Sequence, residues 1–162
     1  MTAKSKTQPG VTALFPGSFN PFTMGHKSLV DRALSFCDKV IILIGFNVEK
    51  GIDNKAEILQ RMEDIRALYS EEPRVSVDIF SGLTGTYAVQ ADVDFILRGV
   101  RNVSDFEYER NMADANRNLF GVETVILPSL PELSWISSSA VRELKHFGAD
   151  VAGLTPFDPC NH

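Results

Sequence analysis

Residues 13–34 read ALFPGSFNPFTMGHKSLVDRAL. The segment changes its period midway. Residues 11–15 (VTALF) are a short apolar run of strand length, and Pro16, Gly17, Ser18 and Pro21 then interrupt it. From Met24 onward, Leu29, Val30, Ala33, Leu34 and Phe36 recur at helical spacing, which predicts a helix over 24–36. A strand that feeds a helix through a turn of small residues is the first unit of an α/β fold.

The same unit repeats along the chain. KVIILIGF (39–46) is a continuous β-branched run, as expected for a strand buried on both faces. Residues 55–70 form an amphipathic helix whose stripe is Ile58, Leu59, Met62, Ile65 and Leu68. RVSVDIF (74–80), DFILRG (94–99) and ETVILP (123–128) read as three more strands. Between them lie a short helix over TYAVQAD and a helical stretch at 105–119. A last helix runs through AVRELKHF, capped by Ser137 or Ser138, with Gly148 just past its end. Strict β-α alternation predicts a Rossmann-like, doubly wound, five-stranded parallel sheet with helices on both faces. Ligands of such sheets sit beyond the carboxyl ends of the strands. The loops to inspect are therefore 16–25, 47–54, 81–85, 98–104 and 128–138.

Bulk properties narrow the class. The chain has 162 residues, 44% hydrophobic and 23% charged, as in ordinary globular domains. We expect a flexible arm at 1–10 and one domain over 11–162. Sixteen Lys and Arg against 21 Asp and Glu give a net charge of −5, a poor balance for a nucleic-acid binder. Cys37 and Cys160 have no metal-binding spacing and read as free thiols. The longest apolar run, residues 40–44, is too short to span a membrane, and residues 1–10 lack the apolar centre of a signal peptide. A cytoplasmic protein is expected.

The usual nucleotide signatures are absent: there is no G-x-G-x-x-G after a strand, no G-x-x-x-x-G-K-[ST] and no G-x-S-x-G. The stretch PGSFNPFTMGH offers a different phosphate site. Gly17 permits close backbone approach, Ser18 brings a hydroxyl, and Gly25 and His26 stand where a helix begins, which favours anions. Thr23 and His26 are three apart, so both can face one ligand on a helical turn. The plainer reading of His26 is a capping or core histidine.

Two further strings stand out. In ILRGVRNVSDFEYERNMADANRNL (96–119), Arg98 ends a strand and Arg101 follows a glycine turn, a pair suited to phosphate oxygens. In WISSSAVREL (135–144), three serines open a helix and can cap it or bind phosphate.

Pro16-Gly17-Ser18-Phe19 with Thr23-x-Gly25-His26 resembles the nucleotidyltransferase superfamily bearing a T/H-x-G-H motif. RGVR with DFEYE, and ISSS, resemble the bacterial phosphopantetheine adenylyltransferase family in particular, from about residue 12 to about 157. That resemblance implies a nucleotidyltransferase-type fold. It also implies transfer of the adenylyl group of ATP to 4′-phosphopantetheine, giving dephospho-coenzyme A and pyrophosphate. By the same resemblance His26 stabilises the transition state, Lys50 meets the phosphate region, and Arg98 holds the acceptor phosphate. Ser18 contacts both ligands and Thr84 touches the pantetheine arm. Phe19, Gly99, Val100, Arg101, Glu109 and Trp135, Ile136, Ser137, Ser138 and Ser139 line ATP. Mg²⁺ is expected with ATP, with no dedicated carboxylate cage in the protein, and a homohexamer of two trimers is the family expectation.

There are departures. Asn20 stands where the family often has Asp, as in other adenylyltransferases such as those acting on nicotinamide mononucleotide. The loop PSLPELSW is a residue longer than usual, with Leu133 where an aromatic often stands, and the tail after LTPF is short. Such a nicotinamide-mononucleotide enzyme and a non-catalytic nucleotide-binding module are the competing readings.

Overall fold

The computed structural model describes residues 9–47 and 54–157. Lys50, Cys160 and most of the 1–10 arm lie outside the described residues. Five strands form one parallel sheet: β1 (Thr12–Gly17), β2 (Lys39–Gly45), β3 (Val75–Phe80), β4 (Phe95–Val100) and β5 (Glu123–Pro128), in the order β3-β2-β1-β4-β5. The crossovers carry α1 (Met24–Ala33), α2 (Lys55–Leu68), α3 (Thr84–Gln90) and α4 (Val103–Phe120), and α5 (Ser138–His146) follows β5. Order reverses between β1 and β4, which makes their carboxyl ends the switch point.

Strand period sorts the core onto two faces. Phe15, Val40, Ile42, Ile44 and Leu97 pack with Val30 of α1 and Ile58 and Ile65 of α2. Leu14, Ile41, Leu43 and Ile96 pack on the other face with Ala88 of α3. β2 is buried from Val40 to Ile44, as its composition predicted. The α2 stripe is narrower than expected: Ile58, Met62 and Ile65 are buried, but Leu59 lies exposed. Likewise α1 stops at Ala33, and Phe36 stays half outside, stacked on Phe95. Among the described residues no helix is long and apolar enough to cross a membrane.

Several boundaries moved for local reasons. β1 continues through Pro16 and Gly17, which the sequence placed in the following loop. Proline in a central strand is unusual because it has no N–H for the ladder. Here β1 pairs with β2 as far as Gly17↔Ile44, but with β4 only at Ala13↔Phe95 and Leu14↔Ile96. Pro16 therefore falls where the β1–β4 ladder has already ended. α4 starts two residues early because Asn102 caps it, its side chain accepting from the Asp105 N–H. PELSW is not plain loop: Pro131–Leu133 form a 3₁₀ turn. Thr84 opens α3 rather than lying in the loop before it. Gly148 sits past α5 at φ 78, as its position predicted.

Candidate active site

The site is built where β1 and β4 part. Beyond Leu14 and Ile96 the strands are joined by a side chain: Nη1 of Arg98 donates to the Pro16 carbonyl at 2.6 Å. The same guanidinium forms a fork with Glu109, Nε to Oε2 at 2.8 Å and Nη2 to Oε1 at 2.7 Å. Glu109 is buried, and Arg98 keeps partial exposure. Guanidinium has five N–H donors; these three bonds leave two of them for a ligand.

Arg98, Pro16 and Gly17 are shared by two adjoining lobes of one cleft. One lobe, about 340 Å³, is polar in its lining and includes Ser18, Phe19, His26, Arg101, Ser137 and Arg142. The other, about 310 Å³, is more apolar and includes Leu43, Phe80, Thr84, Tyr108, Met112 and Asn116. At the junction a Cβ on Gly17 would stand 2.9 Å from the Phe19 ring, so any larger side chain would have to displace that ring.

The turn after β1 sets the imidazole. Phe19 takes a left-handed φ of 48, and the Asn20–Pro21 peptide is cis. Thr23 then caps α1. Its Oγ1 accepts the His26 N–H at 3.3 Å, and its own N–H donates to Nδ1 of His26 at 2.9 Å. This is a capping box with histidine at the third helical position. Thr23 and His26 both line the polar lobe, as their spacing predicts. Thr23 is buried and its hydroxyl serves the helix, while the box leaves Nε2 to carry the imidazole proton. Burial first, then the charges of Arg98 and Arg101, lower the His26 pKa from 6.5 to about 4. The histidine is therefore a neutral N–H donor at physiological pH. Phe15, Phe19 and Phe22 surround its ring.

Two helix N-termini, of α1 and α5, open on the polar lobe. On α1, the Met24 N–H goes to the Leu154 carbonyl and the His26 N–H to Thr23, so the Gly25 N–H has no acceptor among the described residues. On α5, Ser137 is the cap, accepting from Ala140 N–H at 3.1 Å, and Ser138 Oγ donates to the Pro21 carbonyl at 2.9 Å. Capping and a place at the cleft thus coexist in the serine run.

The structure brings Ser18, Phe19, His26, Arg98, Gly99, Arg101 and Ile136–Ser139 to the polar lobe, and Thr84 to the apolar one. Three expected residues sit elsewhere. Glu109 faces the apolar lobe, where it holds Arg98. Trp135 is exposed, its Nε1 donating to the Glu132 carbonyl at 3.1 Å, and Val100 pairs its carbonyl with the Ser129 N–H. Arg142 was missed. Four residues after Ser138 on one helix, it shares that serine's face, and this spacing was the available signal.

This arrangement defines a nucleotidyltransferase of the α/β switch-point type. Residues 14–144 match the cytidylyltransferase-like family, and the chain belongs to it. Within that class it is a member of the phosphopantetheine adenylyltransferase family. It is 50% identical to the phosphopantetheine adenylyltransferase of Phocaeicola vulgatus over 91% of this chain and 94% of that one. It is 49% identical to that of Porphyromonas gingivalis, over 89% and 93% respectively. The fold also resembles a bifunctional NMN adenylyltransferase/ADP ribose pyrophosphatase from Francisella tularensis. There the TM-score is 0.64 and the identity 15%, covering 93% of this chain and 46% of that one.

Proposed function

We propose that this chain, as one domain over 11–162, transfers the adenylyl group of ATP to 4′-phosphopantetheine, releasing pyrophosphate and forming dephospho-coenzyme A. One observation carries the reading: a polar lobe with three arginines and two helix N-termini adjoins a more apolar lobe, and Arg98 belongs to both. ATP occupies the polar lobe. The pantetheine arm lies in the apolar lobe beside Thr84, its phosphate at Arg98.

The acceptor phosphate oxygen attacks the α-phosphorus, and the bond to the bridging oxygen of pyrophosphate breaks. This chemistry needs alignment and charge neutralisation more than a protein nucleophile. The two free N–H groups of Arg98 hold the attacking phosphate. The Nε2–H of neutral His26 donates to the α-phosphoryl oxygens as their charge grows. Ser18, Phe19, Gly99, Arg101 and the serines at 137–139 hold the nucleotide, and Lys50 is assigned to the phosphate region.

Among the described residues no group of three His, Cys, Asp or Glu could hold a metal ion. Mg²⁺ is proposed as a companion of ATP, where it would neutralise phosphate charge. Assembly as a homohexamer in the cytoplasm belongs to the same reading; Val103, Phe106, Tyr108, Met112 and Leu119, exposed along α4, support an assembly surface.

Pyrophosphate release from ATP tests the proposal. We expect release with phosphopantetheine and none with nicotinamide mononucleotide. The reverse result would assign the chain to the second acceptor, for which Asn20 is the supporting residue. Release with neither would leave a binding module.

A further inference from the structure

The turn between β1 and α1 is held from outside by its carbonyls. Nη1 of Arg61, on α2, donates to the Ser18 carbonyl at 2.9 Å. Nη1 of Arg142 donates to the Asn20 carbonyl at 2.5 Å, and Ser138 Oγ to that of Pro21 at 2.9 Å. Between the first two anchors lies Phe19 at φ 48, a conformation that a phenylalanine keeps only when its surroundings enforce it.

Arg61 differs from the other two anchors in its position. Ser138 and Arg142 line the polar lobe themselves, whereas Arg61 does not. It lies in the wall of a separate cavity of about 510 Å³, between α2, α5 and residues 151–157, behind the turn. A trans peptide group is planar, with its C=O and N–H pointing in opposite directions. Drawing the Ser18 carbonyl toward α2 therefore turns the Phe19 N–H the other way, to the polar lobe that both residues line. Among the described residues nothing accepts that N–H.

We propose that Arg61 is a positioning residue of the nucleotide site: by holding the Ser18 carbonyl it aims the Phe19 N–H at a phosphate oxygen of the bound nucleoside triphosphate. The inference rests on the adenylyl-transfer reading above. Arg61 itself touches no substrate and acts through one peptide plane.

The test is ATP affinity by calorimetry on the full chain without acceptor, for wild type, Arg61→Ala, Arg61→Lys and Arg66→Met. Arg66 is the control: it lies on the same helix and also donates to a backbone carbonyl, that of Val77 at 3.0 Å, away from the turn. Arg61→Ala should weaken ATP by ~10-fold, the scale of one charge-assisted hydrogen bond. Arg66→Met should match wild type, since its bond lies away from the turn. Millimolar guanidinium should restore part of the ATP affinity of Arg61→Ala and none in wild type. Arg61→Lys, which keeps a donor, should fall between and carries the test if the alanine variant does not fold. Unchanged ATP affinity, an equal loss in Arg66→Met, or no guanidinium rescue would each overturn the proposal. Because no acceptor is present, wild type that binds ATP but releases no pyrophosphate with phosphopantetheine would sink the acceptor assignment and leave this test standing.

Discussion

The Thr23 N–H donates to Nδ1 of His26 at 2.9 Å, and that bond selects the form of the imidazole. With Nδ1 accepting, the proton resides on Nε2 and the ring presents a donor to the cleft. A buried ring near Arg98 and Arg101 also resists a second proton. In the proposed reaction His26 would act by hydrogen bonding to charge that develops during transfer, with no proton exchanged.

Removing that donor should therefore cost turnover more than binding. His26→Ala should lower kcat by ~10²-fold or more, with ATP affinity close to wild type, as for loss of a transition-state contact. Single-turnover kinetics and calorimetry together read the two quantities. A kcat unchanged in the variant would remove His26 from the mechanism.

The pH dependence follows from the direction of the shift. His26 has an ordinary pKa of 6.5 and about 4 in the fold, so between these values the unfolded chain binds more protons than the folded one. Its contribution to stability is fully present above pH 6.5 and is lost as pH falls toward 4. The loss is at most about 3 kcal/mol for this group. Denaturant midpoints from pH 7 to 4 should fall less steeply in His26→Gln than in wild type. Turnover should show no acid limb near pH 6.5 from this residue; a limb there that disappears in His26→Gln would mean that the imidazole titrates normally.

On the proposed function, Glu109 acts on the acceptor through Arg98. Both of its oxygens are bonded to the guanidinium that the two lobes share. Glu109→Gln keeps the volume but replaces the charged fork with a weaker contact, leaving Arg98 free to swing. The KM for phosphopantetheine should rise by ~10-fold, a loss on the scale of a charge-assisted bond, with ATP affinity much less affected. An equal loss for both ligands would show that Glu109 serves the nucleotide directly.

How legible these features were depends on the distance over which each is determined. β2 was plain because a β-branched run buried on both faces needs only its own composition, and α2 because its stripe is periodic. Ser137 and His26 were legible because capping and spacing act within one turn. Arg61 and Arg142 were hidden, since each meets the first turn from 43 and 122 residues away, and only the packed helices bring them there. The setting of Trp135 was hidden for a related reason: the 3₁₀ turn at Pro131–Leu133 brings the Glu132 carbonyl to its indole N–H. The end of β1 was misread because a proline in a central strand is tolerated only where the neighbouring ladder stops, a property of strand order that no short stretch encodes.

Gly99 tests the packing that brings β4 to the site. A Cβ there would lie 2.3 Å from Cδ1 of Leu29, a buried side chain of α1 that also lines the polar lobe. Leu29 packs among core residues, so the added methyl must push the end of that side chain out of its packed position. Gly99→Ala should destabilise the fold by ~1–3 kcal/mol, the usual range for overpacking. The urea midpoint should drop while the slope is unchanged. Leu29→Ala creates space at the same point, so the double variant should be more stable than the sum of the two losses predicts, with a coupling of ~1 kcal/mol or more as expected for residues in contact. Strict additivity in that cycle would show that the helix yields without cost and that Gly99 is present for a reason other than the approach of Leu29.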